Sequence, residues 1–405
     1  MAGYGSLYWA ERTARSRRTA YPIYRGQHEF DVVVIGGGLT GCTAAYVFAN
    51  AGLSVALVEA NRLASGSTAA SLGALLPQPD AAFRGVEATA GLRVARTAWK
   101  TSRKSVLEFA SALKKLKIKC DLDASALVVT ARTSDAADQL RREQSARNAA
   151  GVDVPWLSGP IAARQLGTES AGAIRMRDAF VFDPVRAALG LAAAAVAKGA
   201  SVFEKSAVKR TRYNRKHADV VLSTGTIRAT NVYVATGGPG DLFSQLRRHV
   251  RELSGYVVVT DKLTPAMKRA TGLRSSVVGE QGDAPHWLRW LPDGRALFAG
   301  GLSKAPTSRQ IDKAVVQNSA ELMYQLSVRY PALSGLPAKW GWDVPVFSTA
   351  DGLPWIGPHR NYPFHFFAMA FGWHGDGLAW LSAKSALRSF TGESTREDQA
   401  FVFVR

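Results

Sequence analysis

The run DVVVIGGGLTGCTAAYVFANAGLSVALVE, residues 31–59, reads as a strand, a glycine turn, a helix, a second strand and a terminal acid. Residues 31–35 are apolar after the first position, the pattern of a strand covered on both faces. Gly36, Gly38 and Gly41 have the G-x-G-x-x-G spacing. In that spacing the first glycine permits a tight turn and the second lets backbone approach a pyrophosphate. The third lets the helix lie close to the sheet. The helix aims its free N–H groups and positive dipole end at phosphate. Ala51-Gly52 stops the helix, and residues 53–58 form the next strand. Glu59 then stands where a carboxylate accepts hydrogen bonds from a ribose 2′-OH. All the parts occur in order, so the chain opens with a dinucleotide-binding βαβ unit.

Working outward, the 405 residues are enough for two or three domains and a large core. The hydrophobic share is 47% and the mean hydropathy −0.06, as in globular chains. No apolar run approaches the ~20 residues of a membrane span. Residues 189–196 read as a buried Ala-rich helix. Only Cys42 and Cys120 are present, which excludes a disulfide framework and leaves no metal site to expect. The expected location is the cytoplasm. The first 29 residues include Arg12, Arg15, Arg17 and Arg18 but no apolar signal core, and read as an arm lying on the surface. The net charge of +19 suits an anionic substrate, an acidic partner, nucleic acid or a membrane surface. A solvated basic exterior accounts for it more simply.

Residues 62–79, RLASGSTAASLGALLPQP, form a small-residue loop that lets a ring and a phosphate chain pass close to backbone. Ser65, Ser67 and Thr68 are suited to capping a short helix there. Leu92, Ala95, Trp99, Val106, Ala110 and Leu113 have helical spacing, which predicts a helix over 92–116 with a basic outer face. A strand is expected at 121–130, helices at 134–149 and 161–165, and a strand pair over 173–184. A helix over 184–198 ends at Gly199. Strands follow at 201–204 and 208–213, then a hairpin around Gly225. The strand NVYVA at 231–235 closes in Thr236-Gly237-Gly238. Strands at 256–260, 277–280, 286–291 and 295–299 mark a second, antiparallel unit. After a helix at 311–330 come strands at 340–347 and 364–369. A glycine turn at Gly372, Gly375 and Gly377 then opens a last helix over 378–390. The fold class is α/β plus α+β, with interleaved domains. Residues 30–90, 185–240 and 346–405 form the nucleotide-binding domain, and 91–184 and 241–345 the substrate domain.

These pieces together resemble the FAD-dependent D-amino-acid oxidase, glycine oxidase and sarcosine oxidase superfamily. GGGLTG with Glu59, ASGSTAAS, NVYVATGG, DGLPWIG and FGWHGDGLA occur in the family's order. WLRWLPDGRALFAGG resembles the substrate-domain hairpin of amine-oxidising members, and SLYWAERT the lead-in of γ-glutamylputrescine oxidoreductase-like members. The resemblance implies a Rossmann-type FAD-binding domain interleaved with an antiparallel-sheet substrate domain. It implies pyrophosphate contacts from Gly36, Gly38, Leu39, Thr40 and Gly41, and adenosine contacts from Glu59, Ala60, Asn61 and Arg62. Ser67 and Thr68 would approach the phosphates or ribityl chain, and Val208 the adenine. Thr236 and Gly237 would end the second cofactor strand. Gly372, Gly375, Asp376, Gly377 and Leu378 would meet the pyrimidine side of the flavin, where a helix N-terminus stabilises charge on the reduced ring. Attachment is expected to be non-covalent, since no cysteine lies near the C-terminal flavin segment and no histidine in the ASGSTAAS loop.

The implied reaction oxidises the C–N bond of a small amine or amino acid by hydride transfer to flavin N5, with the imine then hydrolysed. Electrons pass to O2 or another acceptor. The flavin carries this chemistry and the protein orients it. Arg289 is the candidate for a forked contact to a substrate anion. Trp287 is a candidate pocket wall, with Tyr256 and His374 as further catalytic candidates and His286 and Trp342 behind them. Asp376 reads as a helix cap. Two departures stand out. Asp343 lies near the place where amino-acid-oxidising relatives carry a carboxylate-clamping arginine. Phe298 lies nearest the place where sarcosine-oxidase-like members carry a lysine above the flavin, which opens the way to a dehydrogenase. The alternatives are a tRNA- or nucleic-acid-linked flavin oxidase module, which the charge suits, and a non-catalytic flavin-binding protein.

Overall fold

A computed structural model of the chain describes residues 7–13, 18–272, 274–282 and 285–405. Arg15 and Arg17 lie outside the described residues.

The apolar half of the Gly26–Ile35 strand is buried and its polar first half is exposed. The buried half therefore sits mid-sheet. Val33 pairs in parallel with Val232, and Val32 with Val55. The order across this eight-stranded sheet is Trp355–His359, Tyr362–Met369, Gly225–Gly237, Gly26–Ile35, Val55–Val58 and Ser201–Phe203, with Val208–Tyr213 and Ala218–Leu222 attached to one side. The four pairings from Tyr362–Met369 to Ser201–Phe203 are parallel, so five strands end at one edge. In such sheets ligands bind beyond the carboxyl ends of the strands. The helices Leu39–Asn50, Pro184–Val196 and Ala379–Phe390 share a buried core on one face.

The second sheet has nine strands and is antiparallel except where Ser276–Glu280 runs parallel to Asp123–Ala131. Its long members are Arg251–Thr260, Ala296–Lys304 and Ala338–Ser348. Alternation divides each strand between two cores. Val257, Val259, Trp287 and Leu297 face the core shared with the first sheet and its helices, whereas Tyr256, Val258, Leu288 and Phe298 face the Ile311–Arg329 helix.

Three local expectations are corrected. Residues 173–184 are not a strand pair but most of one strand, Gly172–Val181, paired throughout with Asp123–Ala131. Trp355–His359 is an extra edge strand. The described part of the N-terminal segment does not lie wholly on the surface. Its helix Tyr8–Arg12 buries Tyr8 and Trp9 to 2% and 1% exposure. Trp9 Nε1 donates to the Ser71 carbonyl at 2.9 Å, and Arg12 pairs with Asp121 at 2.7 Å. Burying two aromatic rings outweighs the cost of ordering a short polar segment. Trp9→Ala should therefore cost about 3–5 kcal/mol, read as a fall in the urea midpoint. An unchanged midpoint would show that the ring carries no packing energy.

The predicted basic helix spans Leu92–Lys115. Arg103 pairs with Asp178, Lys104 with Glu397, and Lys114 lies over the Phe180 ring. Part of its charge is thus answered within the chain. No helix among the described residues is long and apolar enough to cross a membrane.

Candidate active site

At the carboxyl ends of the parallel strands lies a cavity of about 580 Å³. Backbone builds its floor. Gly36 has φ 106°, and a Cβ there would lie 2.5 Å from the Ala235 carbonyl oxygen. A Cβ on Gly41 would lie 1.8 Å from the Gly36 oxygen, so the helix can approach the turn only as glycine. The Leu39–Asn50 helix has no side-chain cap at Gly38; Leu39 N donates to Thr68 Oγ1, and the N–H groups of Thr40 and Gly41 are left for a ligand.

Glu59 organises one end of the cavity. Its Oε2 accepts from Gly37 N at 2.6 Å and its Oε1 from Asn61 N at 2.8 Å. Ser206, Ala207 and Val208 close this end. Along the middle, Ser67–Ala70 forms one short helical turn. The expected caps are not made. Gly66 is the N-cap, and Thr68 Oγ1 instead accepts from Leu39 N at 2.9 Å, tying the serine-rich loop to the glycine turn. At the far end the chain leaves the Tyr362–Met369 strand through left-handed backbone at Ala370 (φ 60°) and Gly372 (φ 67°). The expected last helix begins as a tight turn at Gly375–Leu378 and becomes α-helical at Ala379. Asp376 makes no cap bond to that helix. The Ser71 hydroxyl near it lowers its carboxyl against the larger effect of burial.

The long cleft, the free Thr40 and Gly41 N–H groups and the acid Glu59 at one end fit an extended dinucleotide. The sequence profile of the FAD-dependent oxidoreductase (DAO) family matches residues 31–387. The chain belongs to this family. It is 24% identical to the probable oxidoreductase OrdL of Haemophilus influenzae, over 93% of this chain and 86% of that one. It is 22% identical to γ-glutamylputrescine oxidoreductase of Escherichia coli, over 91% and 85%. Glycine oxidase from Geobacillus kaustophilus superposes with a TM-score of 0.77 at 22% identity, covering 93% of this chain and 99% of that one. The chain is thus an FAD-dependent oxidoreductase of the DAO family with a glycine-oxidase-like fold.

Of the residues expected at FAD, Gly36, Gly38, Leu39, Thr40, Glu59, Ala60, Asn61, Ser67, Thr68, Val208, Thr236, Gly237, Gly372, Gly375 and Asp376 line the cavity. Four do not. Gly41 packs against Gly36, Gly377 against Val106, Leu378 is buried, and Arg62 is exposed, its carbonyl accepting from Ser65. They support the cavity from behind or beside it. Neither cysteine lines it, and Cys42 and Cys120 are both buried.

None of the four catalytic candidates lines the cavity, and each has a local reason. Arg289 is 1% exposed and gives Nη1 to the carbonyls of Leu72, Gly73 and Phe182 at 2.9, 2.5 and 2.9 Å. Its guanidinium lies 4.8 Å from the centre of the Trp9 ring, and burial lowers it to about 10. It is a buried staple of the 71–73 loop rather than an exposed fork. His374 is 4% exposed, with Nε2 3.2 Å from Asp80 Oδ1 and its ring edge-on to Trp287 at 4.0 Å. Burial drives this imidazole down and the Asp80 carboxyl up, so both tend to neutrality. Trp287 packs behind His374, and Tyr256 faces the opposite core. Phe298 also faces that core, stacked on His286, with the Arg329 guanidinium over its ring.

The walls that sequence reasoning missed are Val344, Pro345 and Phe347 on one strand and Phe371 and Trp373 before the glycine turn. The signals were faint: Gly238 leaves room for the Phe347 ring and Gly255 for Trp373.

Asp376 is the one titrating group at this end of the cavity. Burial pushes it up to about 7, against the Ser71 hydroxyl and the Arg289 charge. The folded value lies above the unfolded one of 3.8, so the native state holds this proton more tightly. The group therefore costs stability progressively as pH rises from about 4 to 7. In flavin-free protein, Asp376→Asn should melt higher than the parent, by a margin that widens from pH 5 to pH 8. A constant margin would show that Asp376 ionises freely.

Proposed function

We propose that this enzyme oxidises the C–N bond of a small primary or secondary amine rather than an α-amino acid. One observation carries the choice. Glu59 and Asp376 are the only ionisable side chains among the described residues of the cavity wall, and no Arg, Lys or His joins them. A substrate carboxylate would find no cation there, whereas an ammonium group meets a carboxyl at the flavin end. The names of γ-glutamylputrescine oxidoreductase and glycine oxidase, among the relatives of this chain, point to the same nitrogen chemistry.

Bound FAD, held non-covalently, supplies the two-electron acceptor for hydride leaving the carbon next to nitrogen. Gly36, Gly38 and the helix N-terminus would hold its pyrophosphate, and Glu59 its adenosine ribose. Val344, Pro345, Phe347, Phe371 and Trp373 form apolar walls that exclude water from the reacting carbon. Asp376, with a value near neutrality, is suited to hold the ammonium group or take its proton before oxidation. The imine product hydrolyses in water, and O2 or another acceptor takes the electrons. Cytoplasmic residence accords with two unpaired, buried cysteines.

The test is anaerobic bleaching of the yellow holoenzyme with a panel of amines and amino acids, followed by air. Amines without a carboxylate should bleach the flavin at least ~10-fold faster than α-amino acids of the same length, about 1.4 kcal/mol. Faster bleaching by amino acids would reverse the substrate class. No bleaching by any member of the panel would leave a flavin-binding protein without this activity. The rate of recolouring in air separates an oxidase from a dehydrogenase.

A further inference from the structure

A second cavity, of about 440 Å³, lies at the opposite end of the Tyr362–Met369 strand from the flavin cleft. Its mouth carries Arg248 and His249, at the end of the short Ser244–His249 helix, and His359 and Arg360, where the edge strand turns. Its floor is apolar and includes Ile356, Phe366, Val402 and Phe403.

The charge is one-sided. Among the described residues, neither Arg248 nor Arg360 has a carboxylate within ion-pair distance. Arg248 donates Nε to His249 Nε2 at 3.0 Å, which leaves the His249 proton on Nδ1. His359 Nδ1 accepts from Asn361 N at 3.2 Å, which leaves its proton on Nε2. The one carboxylate in the wall, Asp398, is occupied by Arg388 through both oxygens and by the N–H and hydroxyl of Thr395. Both histidines lie below their ordinary value, from burial and then from neighbouring positive charge: Arg248 on His249, and His249, Arg360 and Arg248 on His359. Each group at the mouth thus feels the others. The last turn of the Ala379–Phe390 helix, near Ser389, contributes about half a negative charge, too little to offset two full arginine charges.

Cations gathered over an apolar floor, with no acid to answer them, describe a receptor for an anion carrying a hydrophobic body. We propose that this cavity binds a small organic phosphate, its phosphoryl group on Arg248, His249, His359 and Arg360 and its body against Phe403 and Val402. An anion there favours protonation of both histidines, so binding takes up protons and tightens as pH falls.

Calorimetry on the holoenzyme tests this with sulfate, inorganic phosphate and phenyl phosphate. Phenyl phosphate should bind one per chain, at least ~10-fold tighter than inorganic phosphate. Sulfate, which stays a dianion, should bind several-fold tighter at pH 6 than at pH 8. Arg248→Gln/Arg360→Gln should weaken all three at least ~10-fold while keeping full flavin content and unchanged melting. Absence of saturable binding, or binding untouched by the double substitution, overturns the proposal. Equal affinity for the two phosphates overturns its hydrophobic half, and a flat sulfate profile overturns the role of the histidines.

Discussion

Gly41→Ala should give a colourless protein. The added methyl would sit 1.8 Å from the Gly36 carbonyl oxygen and 3.3 Å from Val34 Cγ1. The obstacle is backbone of the very turn that lines the cavity, so no side chain can swing aside. Either the helix retreats by more than an ångström or the turn opens. Both displace the N–H groups that would meet the phosphates, whose hydrogen bonds are steep in distance. An increase in the FAD dissociation constant of at least ~100-fold is expected, about 2.7 kcal/mol. It is read as absorbance near 450 nm per mole of protein after desalting. Gly52→Ala is the control. It is also left-handed, at φ 88°, but has nothing within 4 Å of the new methyl. It should cost about 1 kcal/mol in stability and keep its flavin. A Gly41→Ala protein with a full complement of flavin would show that close helix approach does not set the site.

Arg289→Met should fail through the fold rather than through substrate affinity. Methionine matches much of the volume but abandons the carbonyls of Leu72, Gly73 and Phe182; Gly73 O keeps the Phe182 N–H at 2.9 Å, and the other two lose the donor they have. Unmet buried carbonyls cost about 1–3 kcal/mol each. Removing a buried, unpaired cation returns part of that. A net loss of about 3 kcal/mol is expected from denaturant unfolding. Flavin affinity should fall with it, because the stapled loop carries Ser71, which lines the cavity together with Asp376. The opposite outcome is equally clear. Unchanged unfolding, full flavin and a raised KM confined to carboxylate-bearing substrates would return Arg289 to the role its strand position suggested.

The contrast between these residues explains what could be read in advance. The glycine turn, helix and acid of 31–59 are largely local: Gly41 answers to Gly36 and Glu59 to Gly37, and only the close approach of Gly36 to Ala235 is distant. Their spacing alone carries the information, and the strands and helix formed as expected with ends shifted by a few residues. Arg289 looked like a ligand because a basic residue on a strand between two tryptophans has no local partner. Its partners are more than a hundred residues away in sequence. Trp9 was misplaced for the same reason: its acceptor, Ser71, is 62 residues away. Phe298 was assigned by alignment to the flavin side, but strand alternation turns it to the opposite core.

The sequence by itself determined the cofactor class, the βαβ opening and the family order of the motifs, because these rest on local backbone sterics and hydrophobic periodicity. Tertiary structure decided the rest. It buried Arg289, His374 and Trp287 behind the cavity, brought Val344, Pro345 and Phe347 to its wall, and left Asp376 as the carboxyl at the end formed by the Gly372–Gly377 turn. The physical reason is that solvation and charge pairing depend on what closes over a side chain. In this fold the support comes from both ends of the chain, Trp9 packed on Arg289 behind the 71–73 loop and the turn at Gly372–Gly377 at the cavity itself.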